Sequence, residues 1–163
     1  MRIIGIDPST APGKPHAIVT IDTDARRVTH AVEDIEAQGG PLWDRLGLWR
    51  FLLAVVIADQ QPDLVAIENA RGVGGQGHAL QTLVALLAEQ AEACGVPCVL
   101  VNPQSAKSAV CVSKLRNKKA VAHGVRLLYD CAGLPGGYDH TDAVAIAHAG
   151  EALWTWRDQA ATP

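Results

Sequence analysis

No segment constrains this chain more than Leu64-Val65-Ala66-Ile67-Glu68. Four apolar residues closed by one carboxylate read as a short strand buried on both faces, the pattern of a parallel strand inside a sheet. On its N-terminal side, residues 41–60 place Leu42, Leu46, Trp49, Leu53 and Val56 at three- and four-residue intervals. That is the period of an amphipathic helix, and Pro62 stops it. On its C-terminal side, residues 78–93 carry Leu80, Leu83, Val84, Leu87 and Ala91 as a second helical stripe, ended by Gly95 and Pro97.

The remaining elements complete the pattern. Arg2–Asp7 reads as a strand broken by Pro8-Ser9-Thr10, and residues 16–22 and 27–33 as two more strands around a turn at Asp24. Cys98–Val101 gives a further strand, and residues 117–131 and about 140–156 give two helices. Three antiparallel strands followed by strands alternating with helices predict an α/β chain: a mixed five-stranded sheet with helices on both faces. With 163 residues and no repeat or dividing linker, one domain spanning 1–163 is expected.

Composition narrows the function. Apolar residues make up 48%, but no apolar run approaches the roughly 20 residues of a membrane span, so no membrane partner is expected. The N-terminus enters a strand directly, without the regions of an export signal, which predicts a cytoplasmic location. Cys94, Cys98, Cys111 and Cys131 form no C-x-x-C pair and are expected to be reduced packing residues rather than zinc ligands. The net charge of −3 is unevenly spread: no acid lies between Glu92 and Asp130, where Lys107, Lys114, Arg116, Lys118, Lys119 and Arg126 fall. Such a run is either a solvated face or an electrostatic footprint for a phosphate backbone.

Three element ends carry carboxylates: Asp7 closes the first strand, Glu68 the fourth, and Asp139 with Asp142 lead the last helix. Sites in mixed α/β sheets gather at the carboxyl ends of strands, so Asp7 and Glu68 meet there if their strands are neighbours. Asp139 and Asp142, three residues apart, share one helix face. Carboxylates converging without a compensating Lys or Arg are costly unless a divalent cation neutralises them. Hard oxygen ligands favour Mg²⁺ or Mn²⁺. Two such ions, about 3.5–4 Å apart, activate a water and stabilise the leaving oxygen of a phosphodiester. A single Asp at such a position is also a cap or turn residue; the combination favours the metal reading.

The runs Ile3-Ile4-Gly5-Ile6-Asp7-Pro8, Gln61-Pro62-Asp63-Leu64-Val65-Ala66-Ile67-Glu68 and Asp139-His140-Thr141-Asp142-Ala143-Val144-Ala145-Ile146-Ala147 resemble, in content, order and spacing, the RuvC family of Holliday junction resolvases. The resemblance covers nearly the whole chain. It implies an RNase H-like fold, a homodimer, and Asp7, Glu68, Asp139 and Asp142 as the catalytic set holding two Mg²⁺ ions, with Mn²⁺ able to substitute. It also implies a structure-selective endodeoxyribonuclease that cuts branched DNA, four-way junctions foremost, to 5′-phosphate and 3′-hydroxyl ends. Lys107 and Lys118 fall where the family's DNA-contacting lysines sit, and Lys114, Arg116 and Lys119 join them as candidate phosphate contacts. Such contacts position the nucleic acid and make its binding salt-dependent.

Two departures bear on substrate choice. Resolvases of this type commonly place an aromatic or large apolar wedge after the catalytic glutamate, but residues 69–77 here hold no aromatic. Arg71 is the candidate to stack on a base instead, which leaves flaps and other branched DNA open as alternative substrates. His140, beside Asp139, is either a metal ligand in its place or a polar residue of the helix's first turn.

A rival reading comes from Gly72, Gly74 and Gly77, a G-x-G-x-x-G between a strand and a helix as in dinucleotide sites. That fingerprint wants an acid at the end of the next strand, roughly 20 residues on. Asn102 stands there instead, so no nucleotide cofactor is expected. The candidate dimer interface is residues 78–93, where Leu80, Leu83, Val84, Leu86, Leu87 and Ala88 spread apolar character beyond a one-sided stripe.

Overall fold

The computed structural model describes residues 1–10, 16–32, 41–69, 75–112, 114–135 and 137–161. Strands β1 (Arg2–Asp7), β2 (Ala17–Asp22), β3 (Arg27–Ala31), β4 (Leu64–Glu68) and β5 (Cys98–Val101) form one five-stranded sheet in the order β3-β2-β1-β4-β5. β1, β2 and β3 pair antiparallel, while β4 and β5 add in parallel on the other side of β1. This is the mixed sheet the sequence predicts, with β1 at its centre.

Side chains alternate along a strand, so β1 sends Ile4 and Ile6 to one face and Ile3 to the other. The first face packs against α1 (Leu42–Gln60) and α2 (Gly75–Ala93) through Leu46, Trp49, Leu53, Leu83 and Leu87. The second packs against α3 (Pro103–Val110), α4 (Lys118–Leu128) and α5 (Tyr138–Ala161) through Val110, Val121, Val125, Ala143 and Ala147.

α5 lies unusually close to the sheet, and two glycines permit it. A Cβ on Gly5 would stand 2.1 Å from the Ala143 carbonyl oxygen, and one on Gly150 would stand 2.5 Å from Ala66 Cβ. The helix face that meets β1 and β4 is therefore built of Ala and Gly. This close seating carries the first turn of α5 over the C-terminal ends of those strands.

The structure departs from the sequence reading at several elements, α2 among them, which begins at Gly75 rather than residue 78. α3 was not anticipated, although Asn102 caps it by accepting from the Gln104 N–H at 2.8 Å and Pro103 occupies its first turn. α4 ends at Leu128 rather than residue 131, because Tyr129 turns extended and Asp130 bridges to Arg27 beside β3. α5 runs further than residues 140–156 at both ends. α1 is not one-sided: opposite its buried Leu46, Trp49 and Leu53, it exposes Trp43, Leu48, Phe51 and Val55.

Candidate metal centre and its basic rim

Parallel pairing of β1 with β4 aligns Ile6 with Ile67, so the next residues, Asp7 and Glu68, end their strands side by side. The first turn of α5 brings Asp139 and Asp142 to the same place. One carboxylate oxygen each from Asp7, Asp139 and Asp142 lies within 4.8 Å of the other two. Glu68 joins them electrostatically, since its charge and that of Asp142 both act on Asp7.

Burial is the main influence on Asp7, Glu68 and Asp142. It pushes the Asp7 carboxyl up to about 8, helped by Glu68, Asp142 and Asp139 and opposed by Lys118. Glu68 and Asp142 are also raised, first by burial, with Lys107 and Lys118 pulling them back. Asp142 Oδ1 is buried without a hydrogen-bond partner. A buried, unpartnered carboxylate oxygen beside two others is an oxygen-rich donor set that a hard divalent cation satisfies, so these residues fit such an ion.

The cluster is not free of cations, as the sequence reading assumed. Lys118, the first residue of α4, donates to Asp139 Oδ1 at 2.9 Å and stands 4.0 Å from Asp142 Oδ2. That hydrogen bond is the main reason its ammonium is held above its usual range. Lys107, half-buried in α3, acts on Glu68 and Asp142. Four carboxylates thus face two ammonium groups, a formal excess of two negative charges. Lys114, Arg116 and Lys119, close to Lys118 in sequence, are exposed. Arg71, Gly72 and Gly74 lie outside the described residues, while Gly77 sits buried within α2.

His140 does not join the acids. Its Nε2 lies 3.0 Å from the Val32 carbonyl oxygen, and the ring is 1% exposed. A carbonyl accepts, so Nε2 donates, and the imidazole ties the first turn of α5 to the chain leaving β3. Of the two sequence alternatives, this geometry selects the structural one.

Sequence reasoning missed His16. It accepts from the Ser9 N–H through Nδ1 at 3.1 Å and stacks on Trp49 at 3.7 Å between ring centroids. Burial, then Arg45, lowers its pKa to about 4, so at neutral pH it is the uncharged acceptor this contact needs. Arg45 adds a bond to the Thr10 carbonyl at 3.3 Å, and together they fix the turn that follows Asp7. Nothing local in the sequence marks this pairing, because His16 and Trp49 meet only through tertiary packing.

With this geometry in hand, comparison with known proteins decides the family. The crossover junction endodeoxyribonuclease RuvC of Dehalococcoides mccartyi is 32% identical over 153 residues, covering 90% of this chain and 89% of the relative. The chain belongs to the RuvC family. Two solved structures of Thermus thermophilus RuvC, one in complex with a Holliday junction substrate, superpose with TM-score 0.78 at 21% identity. They cover 96% and 97% of both chains. The yeast mitochondrial Holliday junction resolvase shares the fold at TM-score 0.58 and 15% identity, over 96% of this chain and 82% of its own. No family model matches the chain. The RNase H-like fold expected for a RuvC protein is thus the one found. No helix among the described residues is long and apolar enough to cross a membrane.

Proposed function

We propose that this RuvC-family chain, acting as one domain, is a structure-selective endodeoxyribonuclease that resolves Holliday junctions. Asp7, Glu68, Asp139 and Asp142 are its metal-binding and catalytic residues. The observation that carries the reading is the convergence of Asp7, Asp139 and Asp142 oxygens within 4.8 Å, with Asp142 Oδ1 buried and unpartnered. The four residues would hold two Mg²⁺ ions, or Mn²⁺ in their place, and the bound metal would supply Lewis acidity for activating water and steadying the leaving oxygen. The chain's own residues do the rest. Asp7 and Glu68 are fixed by the sheet, Asp139 and Asp142 by the seating of α5, and Lys118 balances charge beside them. Lys107, Lys114, Arg116 and Lys119 hold the phosphate backbone, and Arg71 stacks on a base near the branch.

Resolution requires two incisions on symmetry-related strands, which a two-fold homodimer supplies. The apolar surface available to a second copy favours α1 over the sequence-based choice of α2. Leu83, Val84 and Leu87 of α2 are buried within the monomer, whereas Trp43 and Phe51 of α1 are 71% and 67% exposed. Leu80, Leu86 and Ala88 of α2 are half-buried at the margin. A helix apolar on both faces is expected to be covered on both.

The test is a panel of labelled four-way, three-way, flap and duplex DNA incubated with the protein, with and without Mg²⁺ or Mn²⁺. Paired, metal-dependent incisions near the centre of four-way DNA support the reading. Cleavage of flaps in preference to four-way DNA moves it to the alternative branched substrate. Equal cutting of duplex defeats structure selectivity.

A further inference from the structure

We infer that Leu115, with Val112 near it, is the apolar contact this chain makes with unstacked bases at the branch point of DNA; the inference rests on the branched-DNA reading above. Lys118 begins α4 and reaches the acid cluster through its 2.9 Å bond to Asp139. Leu115 precedes it by three residues, so the two backbones are at most about 10 Å apart. Leu115 therefore lies on the segment that leads into the lysine reaching the candidate metal centre. It is 66% exposed, and Val112 is 81% exposed.

The surroundings of Leu115 say what meets it. Lys114 and Arg116 flank it, both exposed, Lys119 follows, and no acid occurs between Glu92 and Asp130. A second copy docked on this loop would bring like charges together, and a phosphate backbone brings the opposite charge. A phosphate backbone held by those cations leaves Leu115 facing nucleotides.

Leu and Val side chains gain nothing from phosphates. They gain from the faces of bases, and aliphatic side chains inserted at base steps are a recurrent device for opening stacked DNA. In continuous duplex those faces are covered by stacking; at a branch point opened on binding, the faces at the crossover are not. The contact therefore adds affinity for branched DNA alone, and it carries no charge, so it leaves the salt dependence untouched. Leu115 is also a larger apolar group than any in residues 69–77, where the apolar side chains are Ala70 and Val73.

The test uses the full chain carrying Asp7→Asn, so that DNA is bound without being cut. Four-way DNA with 2-aminopurine at its crossover, and a matched duplex, serve as probes. The expected result is a fluorescence rise on binding four-way DNA, largely lost in Leu115→Ala and restored in Leu115→Met. Leu115→Ala should lower four-way affinity about five- to tenfold while duplex affinity and the salt slope stay unchanged. A Leu115→Ala protein with the full rise and an unaltered preference overturns the inference and leaves the nuclease reading intact. A parent protein with no preference for four-way DNA overturns both. Unfolding of Leu115→Ala, seen as a lost thermal transition, would itself contradict the exposed position on which the inference stands.

Discussion

Lys118 Nζ lies 2.9 Å from Asp139 Oδ1 and 4.0 Å from Asp142 Oδ2, tying the start of α4 to the first turn of α5. The lysine side chain is 56% exposed, so the pair adds only about 0–1 kcal/mol to stability. Its effect falls on the site's charge instead. Lys118→Met should therefore shift the melting temperature by no more than about 3 °C. The same change should tighten Mn²⁺ binding several-fold, up to about tenfold, because a competing positive charge is gone. Calorimetric titration with Mn²⁺ checks this, and weaker binding would contradict it.

The raised carboxyls make the metal-free protein sensitive to pH in a set direction. Asp7 moves from 3.8 up to about 8, and Glu68 and Asp142 move the same way. Unfolded, these groups ionise near pH 4, so from about pH 4 to 8 the folded state holds more protons than the unfolded one. The stabilisation is complete below pH 4 and is lost as pH rises through 8. With chelator present, the melting temperature should fall between pH 5 and 9. Asp7→Asn should remove most of that slope and raise the pH 9 value by about 5 °C. Millimolar Mg²⁺ should do the same for the unaltered protein. A wild-type slope matching that of Asp7→Asn in chelator would contradict the assigned shift.

The exposed cations should separate from the engaged one in their salt dependence. Lys114→Ala, Arg116→Ala and Lys119→Ala each remove a phosphate contact, so each should flatten the slope of log affinity against log salt by about 0.9. Lys118→Ala should flatten it less, because its ammonium already pairs with Asp139. Fluorescence anisotropy from 50 to 200 mM salt measures both, and identical slopes for all four variants would contradict the division.

His140 is expected to act on the helix rather than on the ion. His140→Ala leaves the Val32 carbonyl without its donor and empties a buried site, costing about 1–3 kcal/mol and roughly 3–10 °C in melting temperature. The number of Mn²⁺ ions bound at saturation should not change. Loss of a bound ion at unchanged stability would return the imidazole to the metal.

Much of this was legible in the sequence because it depends on local pattern. The apolar run ending in Glu68 and the strand ending in Asp7 reveal their burial by periodicity, and the three-residue spacing of Asp139 and Asp142 reveals a shared helix face. The sequence makes the meeting of Asp7 and Glu68 conditional on their strands being neighbours, and the parallel pairing of β1 with β4 meets that condition. What was not legible depends on contacts between distant segments: Lys118 with Asp139, His140 with Val32, His16 with Trp49. No spacing rule links residues 108 positions apart. α3 is different, since Asn102-Pro103 is a cap followed by a first-turn proline and was readable. The outward face of α1 was hidden because an inward stripe satisfies the helical period whether or not the opposite face is also apolar.

The central claim is that acids from two strand ends and one helix form a single metal-dependent cutting centre. The direct measurement is single-turnover cleavage of labelled four-way DNA by Asp7→Asn, Glu68→Gln and Asp142→Asn, with DNA affinity measured alongside. Each change should cut the rate at least about a hundredfold while affinity for four-way DNA stays within about threefold. Cleavage at near wild-type rate in Asp7→Asn, the residue at the centre of the cluster, would contradict the account.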